Sequence, residues 1–221
     1  MLYNSAVITY YPAFIDLRGR RCVVVGGGSV AERKVASLLE CEAEVVVISP
    51  TATEQIEAWA EEGHVTLVRR PYQKGDLAGA WLVIAATNSD QVNREVYGEA
   101  VERRLLINTV DNPALCSFIV PSVVRRGSVV VAVSTGGKSP ALARQLRQEL
   151  EHILPEELTD HLEEMVRIRE RLRQAIPDPA DREGVWRRLM AEGLLALLRE
   201  GRHMEVEGLV EAALEERKLG E

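Results

Sequence analysis

Arg21-Cys22-Val23-Val24-Val25-Gly26-Gly27-Gly28-Ser29-Val30-Ala31-Glu32-Arg33-Lys34 is the stretch on which the fold turns. A β-branched run ends in three glycines, and a helix-compatible pattern begins at once. Gly26 suits the tight turn after a strand. Gly28 leaves the backbone bare where a pyrophosphate would approach, and Ala31 is small enough for a helix to pack closely on a strand. Ser29 and Val30 open that helix, whose free N–H groups and positive dipole end favour an anion. Taken alone, Gly-x-Gly-x-x-Ala fits a plain tight turn as well as a dinucleotide site. Its strand–turn–helix setting favours the dinucleotide.

Working outward, Arg18-Gly19-Arg20 delivers the strand, and Ala31, Val35, Leu38 and Leu39 form a helical stripe that faces a sheet. Further strands are predicted over 44–49, 65–69, 81–86 and 105–110, and helices over 53–62 and 91–103. The run 81–86 is almost continuously apolar, as a strand covered on both faces must be. This alternation predicts an α/β fold of Rossmann type, a doubly wound parallel sheet with right-handed crossovers. Thr87 and Asn88 end the fourth strand, as cleft-lining residues or as helix caps. Asp111 falls at the carboxyl end of the fifth, where open parallel sheets place ligands. An Asp before Asn112-Pro113 is also an ordinary turn former.

The pattern then changes. Ser117 to Val124 and Ser128 to Ser134 are β-rich runs separated by Arg125-Arg126-Gly127, which is a hairpin signature. Val129 to Val133 is apolar at every position, and a two-stranded hairpin cannot cover both faces by itself. Burial between two copies of the chain, hence a homodimer, is one solution; an edge extension of the same sheet is the other. Gly137-Lys138-Ser139 lacks the earlier glycine of a P-loop, because Ala132 stands there. Ser139 as N-cap and Pro140 as first helical residue explain that segment instead. From Pro155 only helical stripes remain, Leu158, Leu162, Met165, Ile168 and Leu172 forming the first. The expected domains are residues 1–115, a dinucleotide-binding domain; 116–154, a dimerisation hairpin and helix; and 155–221, a small helical domain.

A 221-residue chain that is 46% hydrophobic is large enough for a proper core. Its net charge of −7 argues against nonspecific nucleic-acid binding, which needs phosphate-neutralising Lys and Arg. No apolar run has membrane-spanning length and no signal pattern opens the chain, so the expected address is cytoplasmic. Cys22, Cys41 and Cys116 are scattered, as thiols in a reducing compartment are. His64, His152, His161 and His203 show no ligand spacing, and no resident metal is expected.

Three segments together resemble one family. They are Val25 to Lys34; Asn108-Thr109-Val110-Asp111-Asn112-Pro113 with Ser117-Phe118-Ile119-Val120-Pro121-Ser122; and Val131 to Arg144, which contains Ser134-Thr135-Gly136-Gly137-Lys138-Ser139-Pro140. Their order and spacing are similar to those of precorrin-2 dehydrogenase, the dehydrogenase–ferrochelatase part of siroheme synthase. The resemblance implies NAD-dependent oxidation of precorrin-2 to sirohydrochlorin, and in some members insertion of ferrous iron in the same cleft. It places a catalytic Asp at Asp111, as general base, and adenosine contacts at Pro50 and Thr51. The region Ile48-Ser49-Pro50-Thr51 has no carboxylate for the ribose hydroxyls, so the preference for NAD rests on the resemblance. Thr135 stands where some members carry serine and keeps the hydroxyl. The methyltransferase part fused in some members is not expected in a chain ending at Glu221, and precorrin-2 would come from another enzyme. The substrate is a polycarboxylate, and Arg125, Arg126, Lys138, Arg144, Arg147, Arg167, Arg169, Arg171 and Arg173 are candidate contacts. A non-catalytic NAD-sensing module is the rival reading, although it leaves Asp111 and the hairpin unexplained. A small reductase would need a Tyr-x-x-x-Lys pair, which is missing.

Overall fold

The computed structural model describes residues 9–154, 156 and 158–219, without the side chains of 158–160 and 216–219. Pro155 and the side chain of Leu158, both used in the sequence reading, lie outside the described residues. Two compact units form. The first runs to Val120 and includes Thr135–Ser139; the second holds Pro121–Ser134 and the chain from Pro140.

The first unit is a five-stranded parallel sheet in the order β3-β2-β1-β4-β5. Its strands are β1 (Arg21–Val25), β2 (Glu44–Ile48), β3 (Val65–Val68), β4 (Leu82–Ala85) and β5 (Leu106–Thr109). Its helices are α1 (Ser29–Leu39), α2 (Glu54–Glu61) and α3 (Asp90–Glu102). Alternate strand residues serve opposite faces. Cys22, Val24, Val45, Val47, Leu82 and Ile84 join Ala31, Val35 and Ile56 of α1 and α2 in one core. Val23, Val25, Val46, Ile48, Val83 and Ala85 join Val96 and Ala100 of α3 in the other. The sheet is therefore covered on both faces, which is why its central strands read as unbroken apolar runs. Caps set the helix starts: Thr53 accepts from Ile56 N–H and Ser89 from Val92 N–H.

The second unit opens with an antiparallel hairpin, β6 (Ser122–Arg126) and β7 (Val129–Val133). The sequence reading started the first arm at Ser117, five residues too early. Ser117 is drawn back to the first unit, its N–H donating to Ile107 O at 2.8 Å and its Oγ accepting from Ile107 N–H at 2.9 Å. Helices α4 (Pro140–Ile153), α5 (Leu158–Ala175), α6 (Pro179–Ala191), α7 (Leu194–Arg199) and α8 (His203–Leu219) follow. The break at Pro177-Asp178-Pro179 is an N-cap, with Asp178 Oδ1 accepting from Ala180 N–H at 2.9 Å and Asp181 N–H at 3.0 Å. Ile168, Leu172, Leu189, Leu198 and Val210 form the core of this helical part. Among the described residues no helix is long and apolar enough to cross a membrane.

Candidate active site

The strand order reverses between β1 and β4, and open parallel sheets bind ligands at such a switch point, beyond the carboxyl ends of the strands. A cavity of about 310 Å³ lies there. Val25 to Gly28 form its floor, Ile48 to Thr51 continue it from β2, and Ala86 to Asn88 close it from β4. Pro50, Thr51, Thr87 and Asn88 thus all line one cleft with the glycine turn.

The three glycines have different physical duties. Gly26 adopts φ +117°, and a Cβ there would lie 2.3 Å from Ala86 O. Gly27 is the most hemmed in, since a Cβ would lie 2.2 Å from Thr51 O and 2.9 Å from Ala52 Cα. Its carbonyl accepts from Thr53 N–H at 2.9 Å, so the loop after β2 is laid directly on the turn. Gly28 is open, with nothing within 4 Å of an added Cβ. It caps α1 without a side chain, leaving the first-turn N–H groups at Ser29, Val30 and Ala31 without helical partners. Bare backbone, free donors and a helix dipole together fit a diphosphate. Ala31 itself is fully buried against the sheet, so its side chain packs.

Asp111 stands two residues beyond β5 and is exposed, in the left-handed region at φ +57°. The loop that presents it is tied at its base. Thr109 Oγ1 donates to Leu115 O at 2.8 Å, Asn108 Nδ2 to Phe118 O at 3.1 Å, and Thr109 N–H to Cys116 Sγ at 3.2 Å. Burial pushes the pKa of the Cys116 thiol up, and the bond from Thr109 N–H works against it. Pro113–Leu115 form a short 3-10 turn that carries the chain away. Lys34, on α1, is within electrostatic reach of Asp111; burial and then Arg33 lower its pKa, and Asp111 works against them.

Thr87 Oγ1 donates to Asn93 Oδ1 at 2.8 Å, and Asn93 Nδ2 donates back to Thr87 O at 3.1 Å, which fixes the β4 side of the cleft. Thr135 Oγ1 bonds both Ser139 N–H and Ser139 O at 3.0 Å and so shapes the turn before α4. Several of the basic candidates are committed elsewhere. Arg126 donates to Leu154 O, and Arg147, Arg167, Arg171 and Arg173 pair with Glu151, Glu164, Glu207 and Glu170. Among the described residues no group of three His, Cys, Asp or Glu is placed to hold a metal.

Sequence reasoning missed Gly27 and Tyr72 of the cleft, and Glu99 behind Tyr72. Gly27 was passed over as the variable position between two motif glycines. Tyr72, which lines the cavity, and Glu99, which accepts a hydrogen bond from Tyr72, had only one sequence signal. That signal is a carboxylate at position 99, inside the apolar stripe Val92, Val96, Ala100. Burial alone would raise the pKa of Glu99, yet bonds from Tyr72, Gly75 and Arg103 hold it below the usual carboxylate value.

Residues 13–122 match a family of NAD(P)-binding domains, 126–153 the sirohaem biosynthesis protein central family, and 162–214 the sirohaem synthase dimerisation region. The siroheme synthase of Nitrosococcus oceani is 41% identical over 206 residues, covering 93% of this chain and 44% of that protein. Siroheme synthase 2 of Yersinia enterocolitica is 42% identical over 187 residues, 85% of this chain and 40% of that one. The chain thus spans less than half the length of these relatives. A solved structure titled SirC, precorrin-2 dehydrogenase, superposes with a TM-score of 0.77 at 24% identity, over 92% of this chain and all of the other, and shows the shared fold. Three family segments in unbroken order, on the sheet and hairpin described above, place the chain in the precorrin-2 dehydrogenase/siroheme synthase N-terminal family.

Proposed function

We propose that this chain oxidises precorrin-2 to sirohydrochlorin with NAD, in siroheme biosynthesis, and that Asp111 is its catalytic base. The observation that carries the proposal is the pairing of a diphosphate cradle at Gly26–Gly28 with an exposed carboxylate beyond β5, on the same edge of one sheet. When bound, NAD supplies a hydride acceptor. Asp111 takes the proton that must leave the macrocycle as the hydride departs, and its exposure lets it pass that proton to water. Two or three of the basic residues around the hairpin and the helices that follow would meet the substrate carboxylates.

NAD over NADP is supported at the end of β3. A 2′-phosphate needs an uncommitted guanidinium, but Arg70 forks onto Asp76 with two bonds of 2.7 Å and Arg69 pairs with Glu57. Ferrous iron, where it is inserted, would be a substrate, with Asp111 accepting pyrrole protons. The match of residues 162–214 to a dimerisation region supports a homodimer, to which we assign the hairpin as well. Three thiols and no disulfide suit a cytoplasmic address.

The test is anaerobic incubation with precorrin-2 and NAD, following NADH and the sirohydrochlorin spectrum. Asp111→Asn is isosteric and tolerates the left-handed backbone, so it should abolish turnover and leave NAD affinity unchanged. Full activity in that variant removes Asp111 from the mechanism. NAD binding without turnover in the native protein would favour a sensing module instead. Ferrous ion added afterwards asks for siroheme.

A further inference from the structure

The chain crosses from β3 to β4 without a helix. Residues 69–81 form a loop instead, anchored by Leu77 and Ala80 in the core, and this loop carries Tyr72 to the cleft. Tyr72 Oη donates to Glu99 Oε2 at 2.5 Å, Gly75 N–H to the same oxygen at 2.8 Å, and Arg103 Nε to Glu99 Oε1 at 2.6 Å. Glu99 is only 2% exposed. A carboxylate that far from water is costly unless donors satisfy it, and an apolar residue would pack there at less cost. Packing therefore does not account for it. What the network fixes is the ring of Tyr72. The same loop is pinned again by Asp76, which accepts from Gln73 N–H at 2.8 Å as well as from Arg70.

Topology says which half of a dinucleotide this ring would meet. β2 and β3 lie on one side of β1, while β4, β5 and Asp111 lie on the other. If the reacting ring belongs near Asp111 and the diphosphate at the glycines, the adenosine half points toward β2 and β3, and it is from the end of β3 that the loop bringing Tyr72 into the cleft departs.

We propose that Tyr72 is the adenine-side wall of the cleft, the aromatic face against which the cofactor's purine stacks, and that Glu99 is the positioning residue that holds it. This rests on the dinucleotide reading of the cleft and deepens it.

ADP-ribose carries the adenine half of NAD and cannot accept hydride, so calorimetric titration with it reads the wall apart from catalysis. Tyr72→Leu keeps apolar bulk and removes the ring; its affinity should fall about tenfold, within the range for base–aromatic stacking. Tyr72→Phe should recover most of that loss. Glu99→Gln should weaken ADP-ribose about threefold at temperatures where the variant is fully folded, by loosening that stacked ring. A merely structural Glu99 would lower the melting temperature and leave the affinity of the folded protein unmoved. In the native protein, 2-azido-ADP-ribose should label the peptide that contains Tyr72, which needs no variant to fold. Unchanged affinity in Tyr72→Leu, or label confined to other peptides, overturns the proposal while native NAD binding stands. A native protein that binds neither ADP-ribose nor NAD overturns the dinucleotide reading and this proposal with it.

Discussion

At the residue scale, the three glycines show how little a motif says about mechanism until the surroundings of each position are known. Gly27 is held by sterics and Gly28 is left free, although both are the same residue in the same turn. Gly27→Ala would drive a methyl into Thr51 O and Ala52, so the loop after β2 must lift off the turn. We expect a loss of about 2 kcal/mol or more, as for other overpacked sites. Gly28→Ala meets no protein atom and has an ordinary φ of −82°. It should fold with nearly native stability yet bind NAD at least about tenfold more weakly, because its methyl occupies the space a diphosphate needs. Thermal unfolding and NAD titration of the two variants check this. Equal effects on stability would mean that the turn does not divide its duties in this way.

At the scale of elements, the sheet was legible and the loops were not, for one reason. A strand with apolar residues at every position must be covered on both faces, so β1, β2 and β4 announce their place at the centre of the sheet. The loop 69–81 has no periodicity, and Glu99, a carboxylate inside the apolar stripe of α3, has no legible partner until that loop folds over it. Ser117 was misread as strand for the same cause, since its partner Ile107 lies across the loop that presents Asp111. The Tyr72–Glu99 network also gives these elements a pH signature. The native pKa of Glu99 lies below its ordinary 4.5. Its contribution to stability is present above that value and is lost as pH falls through the lowered one. Tyr72 is shifted up from 10.0, by burial and then by Glu99. Its contribution is present below pH 10.0 and is lost as pH rises further. Melting curves should show both flanks, and Glu99→Gln should be less stable at neutral pH with a shallower acid flank. An acid flank unchanged in Glu99→Gln would remove this carboxylate as its cause.

At the scale of the whole molecule, the hairpin is the element whose composition most exceeds what its own unit covers. Arg126 donates to Leu154 O and Glu151 O, which marks the face of β6 turned toward the end of α4. By two-residue alternation Val124, buried at 1% exposure, shares that face with Val129 and Val131, and the opposite face carries Val123, Val130 and Ala132 with Arg125 opposite Val130. On that second face Val123 and Val130 are half-buried and Ala132 is exposed in the single chain. If that face meets a second copy, sedimentation should give twice the 24.5 kDa of the chain. Val130→Lys would then bury a charge opposite its like-charged cross-strand neighbour Arg125, at a cost of about 3 kcal/mol or more, which is over a hundredfold in the dimer constant. The variant should sediment at 24.5 kDa with unchanged circular dichroism, because residue 130 faces away from α4. A dimer that survives the substitution would leave association to the helical stretch 162–214 that matches the dimerisation region. The apolar face of the hairpin would then need another occupant.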